Sequence, residues 1–180
     1  MRPPLQIDDD GADDVPSLVG VASALPEWFT PNGLEQMRID LRFQRVLVAR
    51  EDDRIAGFLS YFVHEAVAWI GWMAVVPDRH RRGISRALVE HLAAGLAAAG
   101  VAEIRIDTLG DSVDYAPYAA TRAFWRGVGF EDFARVAQEN PEWPEKLTLR
   151  RLLRTSHAPV SLARTRRRPS PSPPPARRDI

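Results

Sequence analysis

The fold is decided by one stretch of sequence, Ala74-Val75-Val76-Pro77-Asp78-Arg79-His80-Arg81-Arg82-Gly83-Ile84-Ser85-Arg86-Ala87-Leu88. It begins as an apolar strand, and a basic turn then leads directly into a helix. The first amides of a helix have no partner within it and lie at the positive end of its dipole, so a phosphate can bind there. Gly83 permits close approach to the backbone, and the arginines add positive charge. We interpret this turn as a pyrophosphate site.

The elements next to this turn follow from periodicity. Ile84, Leu88, Leu92 and Leu96 recur every four residues and Gly100 follows, which predicts a helix that starts at the turn and stops before the glycine. Three β segments precede the turn, at 45–50, 54–62 and 67–76. The short turns between them, 51–53 and 64–66, predict an antiparallel meander.

The outer parts of the chain continue the alternation. We expect a first strand at 4–8, a helix capped by Asp13 or Asp14, and a second helix at 31–41. After the central helix come a strand at 101–107, a helix at 115–127, a strand from Gly129 and a last strand at 147–152. The order β-α-α-β-β-β-α-β-α-β-β predicts an α+β fold, with a mixed, mostly antiparallel seven-stranded sheet and about four helices.

Composition predicts one globular body, residues 1–154, and a tail, residues 155–180. The whole chain balances 24 basic against 24 acidic residues and is 45% hydrophobic, as expected of a folded domain. The tail has six arginines, one aspartate and a run rich in proline, so we expect it to be disordered and solvated, and nucleic acid is not an expected partner. The chain has no cysteine, its longest apolar stretch is too short to span a bilayer, and its start lacks the apolar region of a signal peptide. These features predict a cytoplasmic protein.

Two blocks of sequence resemble the GCN5-related N-acetyltransferase (GNAT) family. His80, Arg81, Arg82, Gly83, Ile84 and Ser85 correspond to that family's Arg/Gln-x-x-Gly-x-Gly/Ala turn, with departures at His80 and Ser85. The segment 121–130 resembles the family's late helix, which ends in Gly-Phe. The resemblance extends over residues 3–152 and identifies 1–154 as a GNAT-like acetyltransferase domain.

The resemblance implies that acetyl-CoA is the cosubstrate. The cofactor would lie in a V-shaped gap between the strand around 73–76 and the strand around 104–108. Its pantetheine arm would contact the main chain at Met73, Ala74 and Val75, and its pyrophosphate would contact the residues from His80 to Arg86. A main-chain N–H near Val75 would polarise the thioester carbonyl.

Catalysis on an amine needs a base for its proton and a proton for the departing thiolate. We predict Glu65 as the base, with His64 and Asp107 as alternatives; each could instead be an ordinary turn residue or structural partner. Trp125 stands where the family has a tyrosine, and its indole can orient the sulfur but cannot release a proton. Tyr118, seven residues earlier on the same helix, is the predicted acid, with water or the acceptor's ammonium as alternatives.

The acceptor side is implied by two loops that carry Trp28, Phe29 and Trp143. Aromatic rings with acidic neighbours, here Glu27, Glu35, Glu139 and Glu142, suit an amine that has an apolar portion. The alternative is that these rings only close the open end of the sheet.

The sequence therefore predicts an acetyl-CoA-dependent N-acetyltransferase that acts on a primary amine of a small molecule or peptide, by direct transfer in a ternary complex. The alternative, suggested by Trp125, is a non-catalytic CoA-binding or regulatory module. No metal is predicted, no membrane association is expected, and a homodimer is compatible with the sequence.

Overall fold

A computed structural model of the chain describes residues 4–9 and 14–154. Asp13, one of the two predicted helix caps, and the tail 155–180 lie outside the described residues.

Residues 4–9 and 14–154 contain seven strands and four helices, in the predicted order. The bounds are β1 Gln6–Asp8, α1 Val15–Ser23, α2 Pro31–Asp40, β2 Arg45–Glu51, β3 Arg54–His64, β4 Val67–Val75, α3 Ile84–Ala98, β5 Glu103–Leu109, α4 Ala116–Gly127, β6 Glu131–Ala137 and β7 Glu145–Leu152. The strands form one sheet in the order β1-β2-β3-β4-β5-β7-β6, in which only β4 and β5 pair in parallel. The predicted α+β fold is confirmed.

The ends of the first two helices are set by local sequence. The Asp14 carboxylate accepts a hydrogen bond from the Ser17 amide at 3.2 Å, and the Thr30 hydroxyl accepts one from the Gly33 amide at 3.1 Å. Each of these helices has a proline in its first turn, where the missing N–H costs nothing.

The sheet separates two hydrophobic cores. The larger core packs α3 and α4 against one face through residues such as Leu88, Ile104 and Trp125. The smaller core packs α1 and α2 against the other face through residues such as Leu18 and Phe58. Neighbouring residues of a strand alternate between the two cores, as the strand repeat requires. Within the described part of the chain, we found no helix with both the length and the apolarity needed to cross a membrane.

Candidate active site

The central feature of the site is a gap between β4 and β5. The two strands pair only from Val67, opposite Glu103, to Ile70, opposite Ile106. Beyond that point β4 continues to Val75 and β5 to Leu109 without further pairing. The sheet therefore opens in the V shape that the family resemblance implies.

A bulge in β4 lies at the point where the gap begins. Between the pairs Leu59–Met73 and Tyr61–Ile70, β4 has one residue more than β3. The buried Ser60 hydroxyl accepts a hydrogen bond from the Trp72 amide at 2.9 Å and donates one to the Gln44 side chain at 2.7 Å. A Cβ atom at Gly71 would overlap the Gln44 carboxamide and push it away, so the glycine leaves room for the hydrogen bond between Gln44 and Ser60. The bulge is thus held by a side chain of β3 and by a residue just before β2.

The main chain of β4 presents hydrogen-bonding groups to the gap. The Val76 amide donates to the Ala56 carbonyl at 3.0 Å, which directs it toward β3. Because amides alternate along a strand, Ala74 also faces β3, whereas Met73 and Val75 turn their main-chain groups toward the gap. The Val75 carbonyl is 2.8 Å from Nε2 of His80, which must donate because a carbonyl only accepts.

The turn after β4 leads into α3, and no side chain caps the start of that helix. A single 3-10 turn, Pro77–Arg79, leads to Arg81 and Gly83, which have positive φ angles of 59° and 85°. Gly83 occupies the N-cap position of α3 and provides no side chain to its amides. The first backbone hydrogen bond of the helix runs from the Ala87 amide to the Gly83 carbonyl at 2.9 Å, so three amides before it have no helical partner.

The arginines of the turn divide into two groups. Glu51, whose side chain is only 5% exposed, lies 3.2 Å from the Arg79 guanidinium and 3.1 Å from that of Arg82. Arg81 and Arg86 are exposed, and Arg86 donates to the carbonyl of Gly127 at 3.1 Å. Sequence reasoning missed Glu51, which the pattern assigned to a turn and which is the last residue of β2.

The structure separates the three candidate bases. Glu65 lies in the turn between β3 and β4 with an 83% exposed side chain, next to His64. It precedes Ile70 by five residues, which is about 17 Å along a strand, so its assignment as the base does not fit the geometry. Asp107 is the first residue after the last β4–β5 pair. Its Oδ1 accepts from the Thr148 hydroxyl at 2.6 Å, and its Oδ2 is 3.3 Å from the Lys146 ammonium.

The two aromatic residues predicted on α4 have different surroundings. Trp125 is 2% exposed and packs edge-on against Phe124 and Phe130 at centroid distances of 5.0 and 5.1 Å, within the larger core. Tyr118 donates its hydroxyl to the Trp28 carbonyl at 3.2 Å. Burial raises the pKa of Tyr118 to about 12, so its phenol keeps its proton at neutral pH.

The acceptor-side aromatics are only partly brought together. Trp28 donates to the Thr121 hydroxyl at 3.2 Å, and its ring lies 6.4 Å from that of His80, so it connects α4 with the turn at 77–83. Trp143 packs edge-on against Tyr118 at 5.5 Å. Phe29 packs against the smaller core, as Trp28 does, but its ring neighbours that of Trp72, at 6.2 Å.

Lys146 is a second site residue that sequence reasoning missed. It lies on β7 opposite Leu109, and its side chain reaches Asp107. It is the only lysine of the chain, which is the signal that could have singled it out.

Comparisons with known proteins agree with this geometry. A family model described as an acetyltransferase (GNAT) domain matches residues 42–132. No curated protein sequence matches the chain.

Solved structures share the fold at low identity. The ribosomal-protein-S18-alanine N-acetyltransferase of Escherichia coli is 19% identical, with a TM-score of 0.70 over 87% of this chain and 99% of that chain. The PaiA N-acetyltransferase of Thermoplasma acidophilum, in complex with coenzyme A, is 14% identical, with a TM-score of 0.64 over 83% and 99%. An aminoglycoside 6'-N-acetyltransferase complexed with coenzyme A is also 14% identical, with a TM-score of 0.63 over 82% and 96%.

Proposed function

Because the chain belongs to the GNAT acetyltransferase family, we propose that it transfers an acetyl group from acetyl-CoA to a primary amine by direct attack in a ternary complex. The observation that carries this proposal is the continuity of the β4–β5 gap with the uncapped start of α3. A strand edge with free main-chain groups and a helix start with free amides suit the two polar parts of coenzyme A, its pantetheine arm and its pyrophosphate.

The cofactor contacts follow from this arrangement. The main chain of Met73 and Val75 would pair with the pantetheine amides, and Ala74 would contribute only by packing. The amides of Ile84, Ser85 and Arg86 would bind the pyrophosphate, with Arg81 and Arg82 adding positive charge. His80 would keep the Val75 carbonyl in place beside the arm.

The proposed chemistry uses groups at the narrow end of the gap. Asp107 takes the proton of the acceptor ammonium, so that the neutral amine can attack the thioester carbonyl carbon. The gap-facing N–H of Met73, three residues beyond Ile70, stabilises the developing oxyanion; the predicted position near Val75 lies five residues beyond Ile70 and is too far from Asp107. The carbon–sulfur bond then breaks and the thiolate takes a proton, from Tyr118 or from water. For Tyr118 to serve as this acid, its hydroxyl must exchange the Trp28 carbonyl for the sulfur.

The acceptor is proposed to be a primary amine of a small molecule or a peptide. Trp28, Tyr118 and Trp143 would form its apolar wall, and we retain Phe29 only as support for the loop. The similar structures named above act, by their titles, on an alanine of a ribosomal protein and on an aminoglycoside. The first set of amines tested as acceptors should therefore include both peptides and aminoglycosides. We also propose a cytoplasmic location and a single acetyltransferase domain over residues 1–154.

The alternative function is a non-catalytic CoA-binding module, and one observation favours it. Trp125, which stands where the family has a tyrosine, is buried in the core against two phenylalanines. If the family's acid is needed at that position, this chain lacks it.

The test follows the release of free thiol from acetyl-CoA with a panel of amines, together with calorimetric binding of coenzyme A. Asp107→Asn should lower kcat by about 10²-fold or more while coenzyme A still binds. Glu65→Gln, the matched loss of a carboxylate in the exposed turn between β3 and β4, should leave kcat unchanged. Binding of coenzyme A without thiol release for any amine would favour the alternative function, and no binding by the folded protein would remove both.

A further inference from the structure

Lys146 places a primary ammonium against Asp107, the proposed base. Ile106 and Leu147 point into the larger core, so their neighbours Asp107 and Lys146 point to the opposite face of the sheet. The Lys146 ammonium lies 3.3 Å from Asp107 Oδ2, and both side chains are 34% exposed. A primary ammonium is therefore already in contact with the carboxylate that the proposed reaction uses as its base.

The rest of the sequence makes this amine unusual. All other members of the 24 basic residues are arginines, whose guanidinium groups do not lose a proton near neutral pH and so do not act as acyl acceptors. Lys146 is thus the only side-chain amine in the protein. The β5–β7 pairing fixes its backbone opposite Leu109, two residues beyond Asp107, and its side chain reaches Asp107 on the strand that borders the gap. A nucleophile fixed next to its base reacts as if its concentration were very high.

We propose that Lys146 is a self-acetylation site, modified by the protein's own acetyl-CoA when no external acceptor is present. This proposal rests on the proposed function. The uncharged acetyllysine would no longer pair with Asp107, so modification would release the carboxylate to the acceptor pocket.

The reaction balances as follows. The Lys146 ammonium gives one proton to Asp107, and the neutral nitrogen attacks the acetyl carbonyl carbon. A nitrogen–carbon bond forms, the carbon–sulfur bond breaks, and the electron pair leaves with the sulfur of coenzyme A. The second nitrogen proton is lost as the amide forms, the thiolate gains one proton, and the net products are acetyllysine, the free thiol and one proton released to water. No other reactant is needed.

The experiment incubates the full chain with acetyl-CoA and no acceptor, and measures the intact mass and the tryptic map over time. We expect one acetyl group per chain, loss of trypsin cleavage after Lys146, a rate that saturates with acetyl-CoA, and inhibition by excess coenzyme A. Lys146→Arg, which keeps the cation beside Asp107, should gain no acetyl group. Asp107→Asn should slow the modification by about tenfold or more, since it removes the base.

Several results would overturn the proposal. Thiol release with external amines but an unmodified Lys146 would remove the self-acetylation while leaving the proposed function intact. Acetylation confined to the N-terminal amine would do the same. A rate that rises linearly with acetyl-CoA and is insensitive to coenzyme A would show plain chemical acylation. Neither acetylation nor thiol release would mean that the proposed function itself fails.

Discussion

Replacing Ser60 with alanine tests how the bulge of β4 creates the gap. The Ser60 side chain is fully buried, and its hydroxyl makes hydrogen bonds of 2.9 Å with the Trp72 amide and 2.7 Å with Gln44. In Ser60→Ala the Trp72 amide loses its acceptor inside the sheet, and Gln44, which is only half-buried, can turn to water. We expect a loss of about 2–3 kcal/mol of unfolding free energy, mostly from the amide. For a chain of this size that corresponds to a Tm lower by about 4–12 °C.

The same substitution should weaken the binding of coenzyme A. A strand cannot slip by one residue here, because the slip would move the buried Ala74 to the opposite face of the sheet. The bulge should therefore loosen rather than disappear, and Met73 and Val75 would lose their fixed direction toward the gap. We expect Kd for coenzyme A to rise about tenfold, equivalent to about 1.4 kcal/mol.

Thermal unfolding and calorimetric titration with coenzyme A measure the two effects. Ser23→Ala is the matched control, since its hydroxyl makes one exposed hydrogen bond, to the Gly20 carbonyl at 2.8 Å, on the outside of α1. This control should change the unfolding free energy by less than about 0.5 kcal/mol and leave Kd unchanged. The reasoning is refuted if Ser60→Ala is as stable as the control, or if it loses stability and still binds coenzyme A with the original affinity.

Three further substitutions, two of them paired with a control substitution, have expected outcomes. Gly83→Ala places a methyl group at φ 85° in open space before α3, and should cost about 1–2 kcal/mol of stability and also weaken coenzyme A binding. Gly100→Ala is its control, at φ 80° beyond the other end of α3. It should cost the same stability without changing Kd for coenzyme A. Tyr118 keeps its proton to about pH 12 in the folded state and to about pH 10 when unfolded. The contribution of this pKa difference to the unfolding free energy is therefore complete below about pH 10 and is lost between about pH 10 and 12. Urea unfolding should show this alkaline loss of stability in the wild type and not in Tyr118→Phe. Arg122→Met leaves two buried main-chain carbonyls at the end of β5 without their donor and should cost about 2–4 kcal/mol, whereas the exposed Arg126→Met should cost far less, as chemical denaturation would show.

Most of the fold could be predicted because its signals are local. Thr30 and the following proline mark the start of α2 within four residues of sequence, and the repeat of leucines before Gly100 marks the extent of α3. The bulge could not be predicted in this way. It depends on Gln44, Ser60 and Gly71, which lie in three separate segments and meet only when the sheet has formed.

The same contrast holds for the candidate site. The turn at 77–83 is continuous in sequence, so its glycine and arginines could be found by pattern alone. The proposed base could not be found in this way, because Glu65 and Asp107 are chemically alike and both lie near strand ends. Only the pairing of β4 with β5, which stops at Ile70 and Ile106, shows that one carboxylate adjoins the gap and the other does not.

The proposed site has two parts, one that would bind its ligand through the main chain and one that would bind through side chains, and the first tolerates more sequence change. The gap edge of β4 and the start of α3 offer backbone amides, so residues such as Met73, Val75 and Ser85 can vary without removing the groups that would bind coenzyme A. This explains how structures only 14–19% identical can share the fold that forms these groups. On the proposed acceptor side the contacts would come from side chains, those of Trp28 and Trp143, and a substitution would remove them. We therefore expect variants of these two residues to change which amines react before they change the affinity for coenzyme A.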